Sequence, residues 1–193
     1  MSTSEGTKQR TLLADQSYVI KVIDTSASMK ADAIDALMEI DLMARLDSHF
    51  IVCYFDSFIE DTFINIVMEY CHHHDLCSYI KKQKTHFIEN FVWKVFIHIC
   101  LGLQYLHGKN IIHRDLKSLN IFLTKDNSAK IGDLGGSRFV DDQGNIIDDD
   151  HRKVGTPFYL APEWWQDRPC TKKTDMWALG VILYEMCALQ VPF

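Results

Sequence analysis

The sequence predicts an α+β fold in two lobes, and two observations carry this prediction. Strand-like runs rich in β-branched and aromatic residues occupy the N-terminal third around one helical segment. Apolar residues spaced by three and four dominate the remainder, which indicates helices. Strands first and helices after are typical of α+β proteins. A length of 193 residues with 47% hydrophobic content suits one core rather than two independent domains.

The chain is predicted to begin with a strand and a helix. The run "YVIKVI" at 18–23 is a short apolar strand interrupted by a single cation, Lys21. The segment 26–46 then changes to helical period and includes Glu39. Three apolar residues are predicted to form a stripe beside Glu39: Ile34, Leu37 and Met38.

The later elements are two hairpins and two long helices. The runs "FIVCYFDSF" and "FINIVMEY" predict a hairpin joined through Glu60 and Asp61. In "NFVWKVFIHICLGLQYLHGKN" the apolar residues recur at helical spacing, and Gly108 is a suitable C-terminal stop. A second hairpin, "NIFLTKDNSAKIGDL", turns at Asp-Asn-Ser. An acidic loop follows, and an apolar helix is predicted after Thr174.

Composition limits the partners. The net charge is −6 and no run of basic residues occurs, which argues against nucleic acid or an anionic membrane as the main partner. The apolar segment 176–193 could be read as a membrane anchor. A spanning helix is longer and free of charge, whereas Glu185 lies in the middle of this segment, so a helix at the centre of a domain is favoured. The sequence does not indicate an oligomeric state.

The cysteines and the N-terminus favour a cytoplasmic protein. The six cysteines show no paired short spacing and mostly lie in apolar segments, as reduced thiols do. The opening "MSTSEGTKQR" is polar and lacks a secretory leader. The cluster "CHHHDLC" at 71–77 could suggest zinc, but three consecutive His residues point in different directions and no second cluster follows. A solvated connector between the lobes is the favoured interpretation.

The stretch "IIHRDLKSLNIFLT" predicts a polar loop framed by two short strands. Loops held by a rigid frame commonly carry chemistry. Asn120 follows Asp115 by five residues, and the hairpin that comes next returns Asp133 to the same edge. An Asp and an Asn brought together offer hard oxygen ligands for Mg²⁺. This leaves Asp115 as a candidate base and Lys117 as a fixed cation.

At these residues the sequence resembles the eukaryotic protein kinase family. "HRDLKSLN" is similar to the catalytic loop H-R-D-L-x-x-x-N, "DLG" at 133–135 to the D-F-G metal motif, and "APE" at 161–163 to the end of the activation segment. "YVIK" matches the strand with the nucleotide lysine, and "GTPFYLAPE" and "DMWALG" follow in family order. The resemblance covers 18–193 and is strongest to the NIMA-related kinases.

The resemblance implies a fold and an activity. The fold would be a truncated, two-lobed kinase-like domain over 1–193, with a small β-rich N-lobe carrying one helix at about 11–70 and a mainly helical C-lobe at about 71–193. The activity would be transfer of the γ-phosphoryl group of ATP, with Mg²⁺, to Ser or Thr hydroxyls of a protein substrate. A cytoplasmic location is expected, with association with the cytoskeleton left open.

The resemblance also implies roles for the nucleotide and metal residues. Lys21, paired with Glu39, would bind the α and β phosphates, while Asn120 and Asp133 would hold Mg²⁺. Backbone groups near Glu69 and Cys71, at the junction of the lobes, would recognise the base.

The remaining implied roles concern the transfer itself. Asp115 would accept or orient the proton of the substrate hydroxyl, and Lys117 would stabilise the moving phosphoryl group. Thr156, in "GTP", would contact the substrate and Asp115, and together with Lys117 it indicates a serine/threonine kinase. His113 and Arg114 are expected to be structural.

Two departures from the family pattern leave alternatives open. The segment before Lys21 contains a single glycine, Gly6, so the family's glycine-rich phosphate turn is missing. The sequence stops after "VPF", before the family's last helices, and Glu163 is therefore expected to lack the arginine that pairs with it in relatives. A catalytically impaired kinase-fold scaffold protein and a fragment that does not fold alone remain alternatives to an active kinase.

The acidic loop raises a hypothesis about activation. No Ser, Thr or Tyr occurs from Phe139 until Thr156, so the loop offers no phosphorylation site there. A carboxylate of Asp148, Asp149 or Asp150 is expected to pair with Arg114 in place of a phosphate, with a solvated acidic turn as the alternative.

Overall fold

A computed structural model of the chain describes residues 16–26, 30–147, 155–166 and 169–193, with the backbone alone described at 30–32. Gly6 and the acidic run Asp148 to Asp150 lie outside the described residues. The expectations about the phosphate turn and the acidic run therefore stay predictions.

In the described residues, the N-terminal part forms a three-stranded antiparallel sheet with one helix. Strands β1 (Tyr18–Asp24), β2 (Tyr54–Glu60) and β3 (Phe63–Glu69) lie in the order β1-β3-β2, and helix α1 (Lys30–Ala44) connects β1 to β2. The register places Lys21 opposite Ile66. The predicted hairpin is present, and Asp61 takes the positive φ of 53° that its turn requires.

Strand β2 begins at Tyr54, four residues later than Phe50, where the predicted hairpin began. Residues 50–52 pair instead with the second hairpin of the chain: the Val52 N–H donates to the Ile131 carbonyl at 2.8 Å, and the Ile131 N–H donates to the Phe50 carbonyl at 2.8 Å. These bonds join the N-terminal sheet region to the C-terminal part.

Helix α1 buries a different face from the predicted one. Ile34 and Leu37 are 54% and 53% exposed, whereas Glu39 is only 3% exposed. The buried apolar residues lie on the Glu39 side: Ala36, Leu42 and Met43. The stripe prediction was wrong because the ion pair of Glu39 fixes which side of the helix turns inward. Within the described residues the helix spans Lys30–Ala44, so it ends two residues before the end of the predicted segment at 26–46.

The C-terminal part is mainly helical. The remaining elements are α2 (Leu76–Lys81), α3 (Glu89–Gly108), β4 (Ile111–Ile112), β5 (Ile121–Leu123), β6 (Ala129–Ile131), β7 (Arg138–Phe139), α4 (Pro162–Trp165) and α5 (Lys172–Ala188). Strand β4 pairs with β7, and β5 pairs with β6, both antiparallel. The two-residue strand β4 and strand β5 frame the polar loop as the sequence predicted. The predicted α+β kinase-like fold class is confirmed.

The ends of the two long helices differ slightly from the prediction. Gly108 is the last residue of α3, and the positive φ of 56° that redirects the chain occurs at Asn110. Helix α5 starts before Thr174, because Thr171 caps it and exchanges capping-box hydrogen bonds with Thr174.

The C-terminal apolar segment is the core helix α5. Its buried residues include Leu179, Ile182 and Met186, and Glu185, in its last turn, is also buried. Among the described residues, no helix combines the length and apolar character that crossing a membrane requires.

The connector at 71–77 is anchored on both sides. The His73 N–H donates to the Leu123 carbonyl at 2.9 Å, and the Asp75 carboxylate caps α2 by accepting from the Ser78 N–H at 2.6 Å. Within the described ranges no three His, Cys, Asp or Glu residues are arranged to hold a metal ion. The six cysteines, all of them among the described residues, form no disulfide.

Candidate active site

A cavity of about 530 Å³ lies between the N-terminal sheet and the C-terminal part. Its apolar walls come from both sides: Val19, Val52, Met68, Leu119 and Phe122. Its polar groups include six of the predicted site residues: Lys21, Glu39, Glu69, Cys71, Asn120 and Asp133. A cleft with apolar walls and a few convergent polar groups is the usual form of a small-molecule site.

Lys21 joins three elements at the polar end of the cavity. Its ammonium donates to both carboxylate oxygens of Glu39 at 2.9 Å and to Asp133 Oδ1 at 2.8 Å. Strand β1 supplies the lysine, helix α1 supplies Glu39, and the turn after β6 supplies Asp133 with a φ of 53°. One cation is thus held between two carboxylates from distant parts of the sequence.

The three charges shift one another's pKa. Burial opposes the charge on Lys21, but Glu39 and Asp133 outweigh it and raise the pKa of the ammonium. Burial also opposes ionisation of Asp133, and Lys21 more than offsets this, so the pKa of Asp133 is lowered. Burial raises the pKa of Glu39 despite its bonds to Lys21. Asp133 is therefore the carboxylate that stays ionised most readily.

The loop between β4 and β5 presents Asp115 beside this cavity. Lys117 Nζ donates to Asp115 Oδ2 at 2.6 Å and to Thr156 Oγ1 at 2.9 Å, and the Thr156 hydroxyl donates to Asp115 Oδ1 at 2.9 Å. The Asn120 side-chain amide donates to the Asp115 carbonyl at 2.9 Å. These bonds join the loop, the metal-type ligand Asn120 and the segment of Thr156 into one arrangement.

A buried carboxylate that sequence reasoning had not singled out holds this loop. Asp175, at the start of α5, is 1% exposed and accepts hydrogen bonds from the His113 N–H at 2.9 Å and the Arg114 N–H at 3.0 Å. His107 Nε2 lies 2.7 Å from Asp175 Oδ2. Arg114 has a φ of 69°, so these bonds fix a backbone conformation that is uncommon for a residue with a side chain. In the sequence, Asp175 is the first residue of the "DMWALG" motif, which resembles the kinase family but does not by itself indicate a role for this carboxylate.

His113 and Arg114 are buried. His113 is fully buried, with Nε2 at 3.2 Å from the Gly132 carbonyl, one residue before Asp133. His113 therefore connects the loop of Asp115 to the turn of Asp133, as expected for a structural residue.

A second buried carboxylate, Glu185, was noted in the sequence only as a charge that argues against a membrane anchor. The Ser118 hydroxyl donates to Glu185 Oε1 at 3.0 Å, and the Tyr159 hydroxyl donates to Glu185 Oε2 at 2.6 Å. Burial and Glu185 together raise the pKa of Tyr159 above its ordinary value. Glu185 therefore binds two hydroxyls, one from the loop of Asp115 and one from the segment after Thr156.

The predicted base-recognition residues lie at the edge of the cavity. The Glu69 carboxylate is committed to Lys130 at 2.9 Å and to the Cys53 N–H at 3.1 Å, and the Glu69 N–H donates to the Cys53 carbonyl at 2.9 Å. The Cys71 carbonyl accepts from the His74 N–H at 3.1 Å. Burial raises the pKa of the Cys71 thiol to about 12, so the thiol stays neutral and has little nucleophilic character.

Glu163 was expected to be a buried charge without a partner, but the structure gives it one. It is half-buried, and Oε1 accepts a hydrogen bond from the Thr174 hydroxyl at 2.8 Å. Thr174 thus connects α4 to the start of α5 and partners the carboxylate.

All nine predicted site residues are among the described residues, and they form two adjoining groups. Six line the cavity, as given above. The other three, Asp115, Lys117 and Thr156, form the hydrogen-bonded triangle beside it. The Asn120 amide connects the two groups through the Asp115 carbonyl.

Comparison with known proteins gives a consistent result. The family described as "Protein kinase domain" matches residues 3–193. The serine/threonine-protein kinase Nek3 of Mus musculus is 39% identical over 181 residues, 93% of this chain and 34% of that protein. Nek5 of Mus musculus is 40% identical over 192 residues, 98% of this chain and 30% of that protein. Nek1 of Mus musculus is 39% identical over 177 residues, 91% of this chain and 14% of that protein. The chain thus spans between 14% and 34% of the length of these relatives, and they are kinases of the NIMA-related type that the sequence resembles.

Proposed function

This chain belongs to the protein kinase family, and we propose that it is a serine/threonine protein kinase that transfers the γ-phosphoryl group of ATP to Ser or Thr hydroxyls of a protein substrate. The observation that carries the proposal is the position of Lys21. Its ammonium is bound between Glu39 and Asp133 at the polar end of a cavity that also has apolar walls. A nucleotide needs these two features together, an apolar cleft for the base and a fixed cation for its phosphates.

Charge placement suits phosphoryl transfer. Negative charge spreads over the phosphate oxygens in the transition state, so cations must be fixed before the reaction. We assign Lys21 to the α and β phosphates, because Glu39 holds its ammonium in place. The backbone near Glu69 and Cys71 is assigned to the base, since the Glu69 side chain is already bound to Lys130.

Asp115 is assigned to the hydroxyl acceptor. Its carboxylate binds Thr156 and Lys117, one through each oxygen, so it is held rigidly and faces hydroxyl and ammonium groups. A substrate hydroxyl would bind Asp115 Oδ1 beside the Thr156 hydroxyl and give its proton there. Lys117, at 2.6 Å from the other oxygen, would contact the phosphoryl group as it moves. Lys117 and Thr156 resemble the residues of serine/threonine kinases at these motif positions, and the relatives are serine/threonine kinases, which supports a Ser or Thr acceptor.

Asn120 and Asp133 fit Mg²⁺ by the chemistry of their donors. The Asn120 amide uses its N–H group on the Asp115 carbonyl, which leaves its oxygen as a ligand. Asp133 uses Oδ1 on Lys21, and its lowered pKa keeps the carboxylate ionised. Mg²⁺ is commonly held by one or two such oxygen ligands together with substrate phosphates. When bound, it would neutralise negative charge on those phosphates.

The test is phosphoryl transfer by the purified chain. Three peptides that differ only in a Ser, Thr or Tyr acceptor are incubated with labelled ATP, with and without Mg²⁺. We expect label on the Ser and Thr peptides only, and only with Mg²⁺. Asp115→Asn should remove the label and keep the melting temperature, because the change is nearly isosteric and Asp115 is partly exposed.

The exposed Asp142 gives a matched control, since Asp142→Asn makes the same chemical change away from the cavity. Nucleotide binding by the wild-type chain without transfer to any peptide would contradict the proposed activity. Equal transfer by Asp115→Asn and Asp142→Asn would remove Asp115 from the mechanism.

Location stays a prediction. We propose a cytoplasmic protein, with cytoskeletal association as an open alternative. Imaging of the tagged chain beside a cytoskeletal marker separates a diffuse signal from a filamentous one.

A further inference from the structure

An ion pair that plays no part in the proposed mechanism joins α1 to β7. Arg138 Nη2 donates to Asp35 Oδ1 at 3.0 Å, across 103 residues of sequence. Arg138 is 2% exposed, and the Asp35 side chain is one quarter exposed. A pair this sheltered from water is screened far less than one on the surface.

The arginine is fixed by the frame of the site. Strand β7 pairs with β4, with Arg138 opposite Ile112, the residue before His113. Arg138 Nη1 also donates to the Ser137 carbonyl at 2.8 Å and to the Gly135 carbonyl at 3.3 Å. Arg138 thus stabilises the turn that follows Asp133 through Nη1 and binds α1 through Nη2.

The aspartate shares a helix face with the partner of Lys21. Asp35 precedes Glu39 by four residues, so the two side chains lie one turn apart on the same side of α1. Glu39 also packs on this turn, since a Cβ added to Gly135 would lie 3.4 Å from Glu39 Oε2. Helix α1 therefore meets the segment 133–138 at two successive levels.

We infer that Arg138 is a positioning residue for the nucleotide lysine. Through Asp35 it holds α1 at the height and rotation at which Glu39 meets Lys21. The ion pair thereby makes the position of α1 depend on the turn after Asp133. This inference rests on the proposed function for its consequence, which is tighter nucleotide binding, but the link between helix and turn can be measured by itself.

The first experiment uses Asp35→Asn, which removes the charge with little change of shape and leaves the turn bonds of Arg138 in place. Asp41→Asn is the matched control, because Asp41 lies on the same helix in an exposed pair with Arg45. We expect Asp35→Asn to weaken Mg²⁺-ATP binding about fivefold, and Asp41→Asn to leave it unchanged. In a Lys21→Met background, Asp35→Asn should cause no further weakening. An equal weakening in both backgrounds would show that Asp35 does not act through Lys21 and would overturn the inference.

The second experiment is hydrogen–deuterium exchange of the α1 backbone amides without nucleotide. Asp35→Asn should speed exchange in α1 and in the segment 133–138, relative to both the wild type and Asp41→Asn. Identical exchange in the two variants would overturn the inference. A wild-type chain that binds no nucleotide would refute the proposed function, and the exchange comparison would still decide whether the ion pair positions α1.

Discussion

Replacement of Asp175 by Asn tests whether one buried carboxylate organises the loop of Asp115. Asp175 Oδ1 accepts from the Arg114 N–H, and Oδ2 accepts from the His113 N–H. Whichever way an Asn amide is oriented, its NH₂ group would face one of these two N–H donors. One buried backbone donor would then lose its partner, and the other would bond to a neutral acceptor in place of a charged one.

The magnitude follows from these bonds. An unsatisfied buried donor costs about 1 to 3 kcal/mol, and hydrogen bonds to charged groups are the stronger class. A loss of about 3 kcal/mol of unfolding free energy is therefore expected for Asp175→Asn. For a domain of this size, this corresponds to a melting temperature lower by about 6 to 12 °C. Phosphoryl transfer should fall as well, because the positive φ of Arg114, next to Asp115, is held by the same bonds.

Thermal unfolding followed by circular dichroism measures the first effect, and the peptide assay at a temperature where both variants are folded measures the second. Asp142→Asn is the control, and as an exposed substitution it should change stability by less than about 0.5 kcal/mol. A melting temperature for Asp175→Asn equal to that of the control would refute the reasoning. Full transfer activity in a destabilised Asp175→Asn variant would show that Asp175 supports the fold without positioning the loop.

Three further predictions follow from the remaining contacts. Lys21→Met should weaken ATP binding at least about tenfold, whereas Lys84→Met, at an exposed lysine, should not change it. Calorimetric titration measures both affinities, and equal values would contradict the role of Lys21. Thr156→Val should lower the transfer rate. Thr156→Ser should keep most of it, because serine retains the hydroxyl that bonds to Asp115 and Lys117. Equal rates for the two variants would remove the hydroxyl from the mechanism. Tyr159→Phe should destabilise the fold by about 2 kcal/mol, since buried Glu185 loses a donor. Denaturant unfolding measures the free energy of unfolding of this variant and of the control Tyr184→Phe, at an exposed tyrosine. Equal stabilities of the two variants would contradict the prediction.

Much of the site could be predicted from the sequence because its residues lie close together along the chain or follow a regular element. Asp115, Lys117 and Asn120 occur within six residues on one loop, and the apolar runs on either side indicated the strands that frame it. Lys21 was the one cation in an apolar strand. Local spacing and period carry this kind of information, because a strand or a short loop fixes the positions of its own residues.

The supporting contacts could not be predicted in the same way. Asp175 lies more than sixty residues from the backbone that it binds, and Asp35 more than a hundred from Arg138. In the sequence, Asp175 and Asp35 each look like an ordinary charge on a helix. Their roles depend on burial, which removes water as the alternative partner, and burial is a property of the packed chain.

The sequence by itself determined the order of the elements, the polar loop between its two strands and the set of charged residues that can carry phosphoryl chemistry. Only the tertiary structure decided which face of α1 turns inward. Apolar content alone favoured the side of Ile34 and Leu37, yet the helix buries Glu39, because the ammonium of Lys21 and the turn after Asp133 offer that carboxylate its partners. A charge is buried where its partners are, and the positions of those partners are set by contacts between residues far apart in sequence.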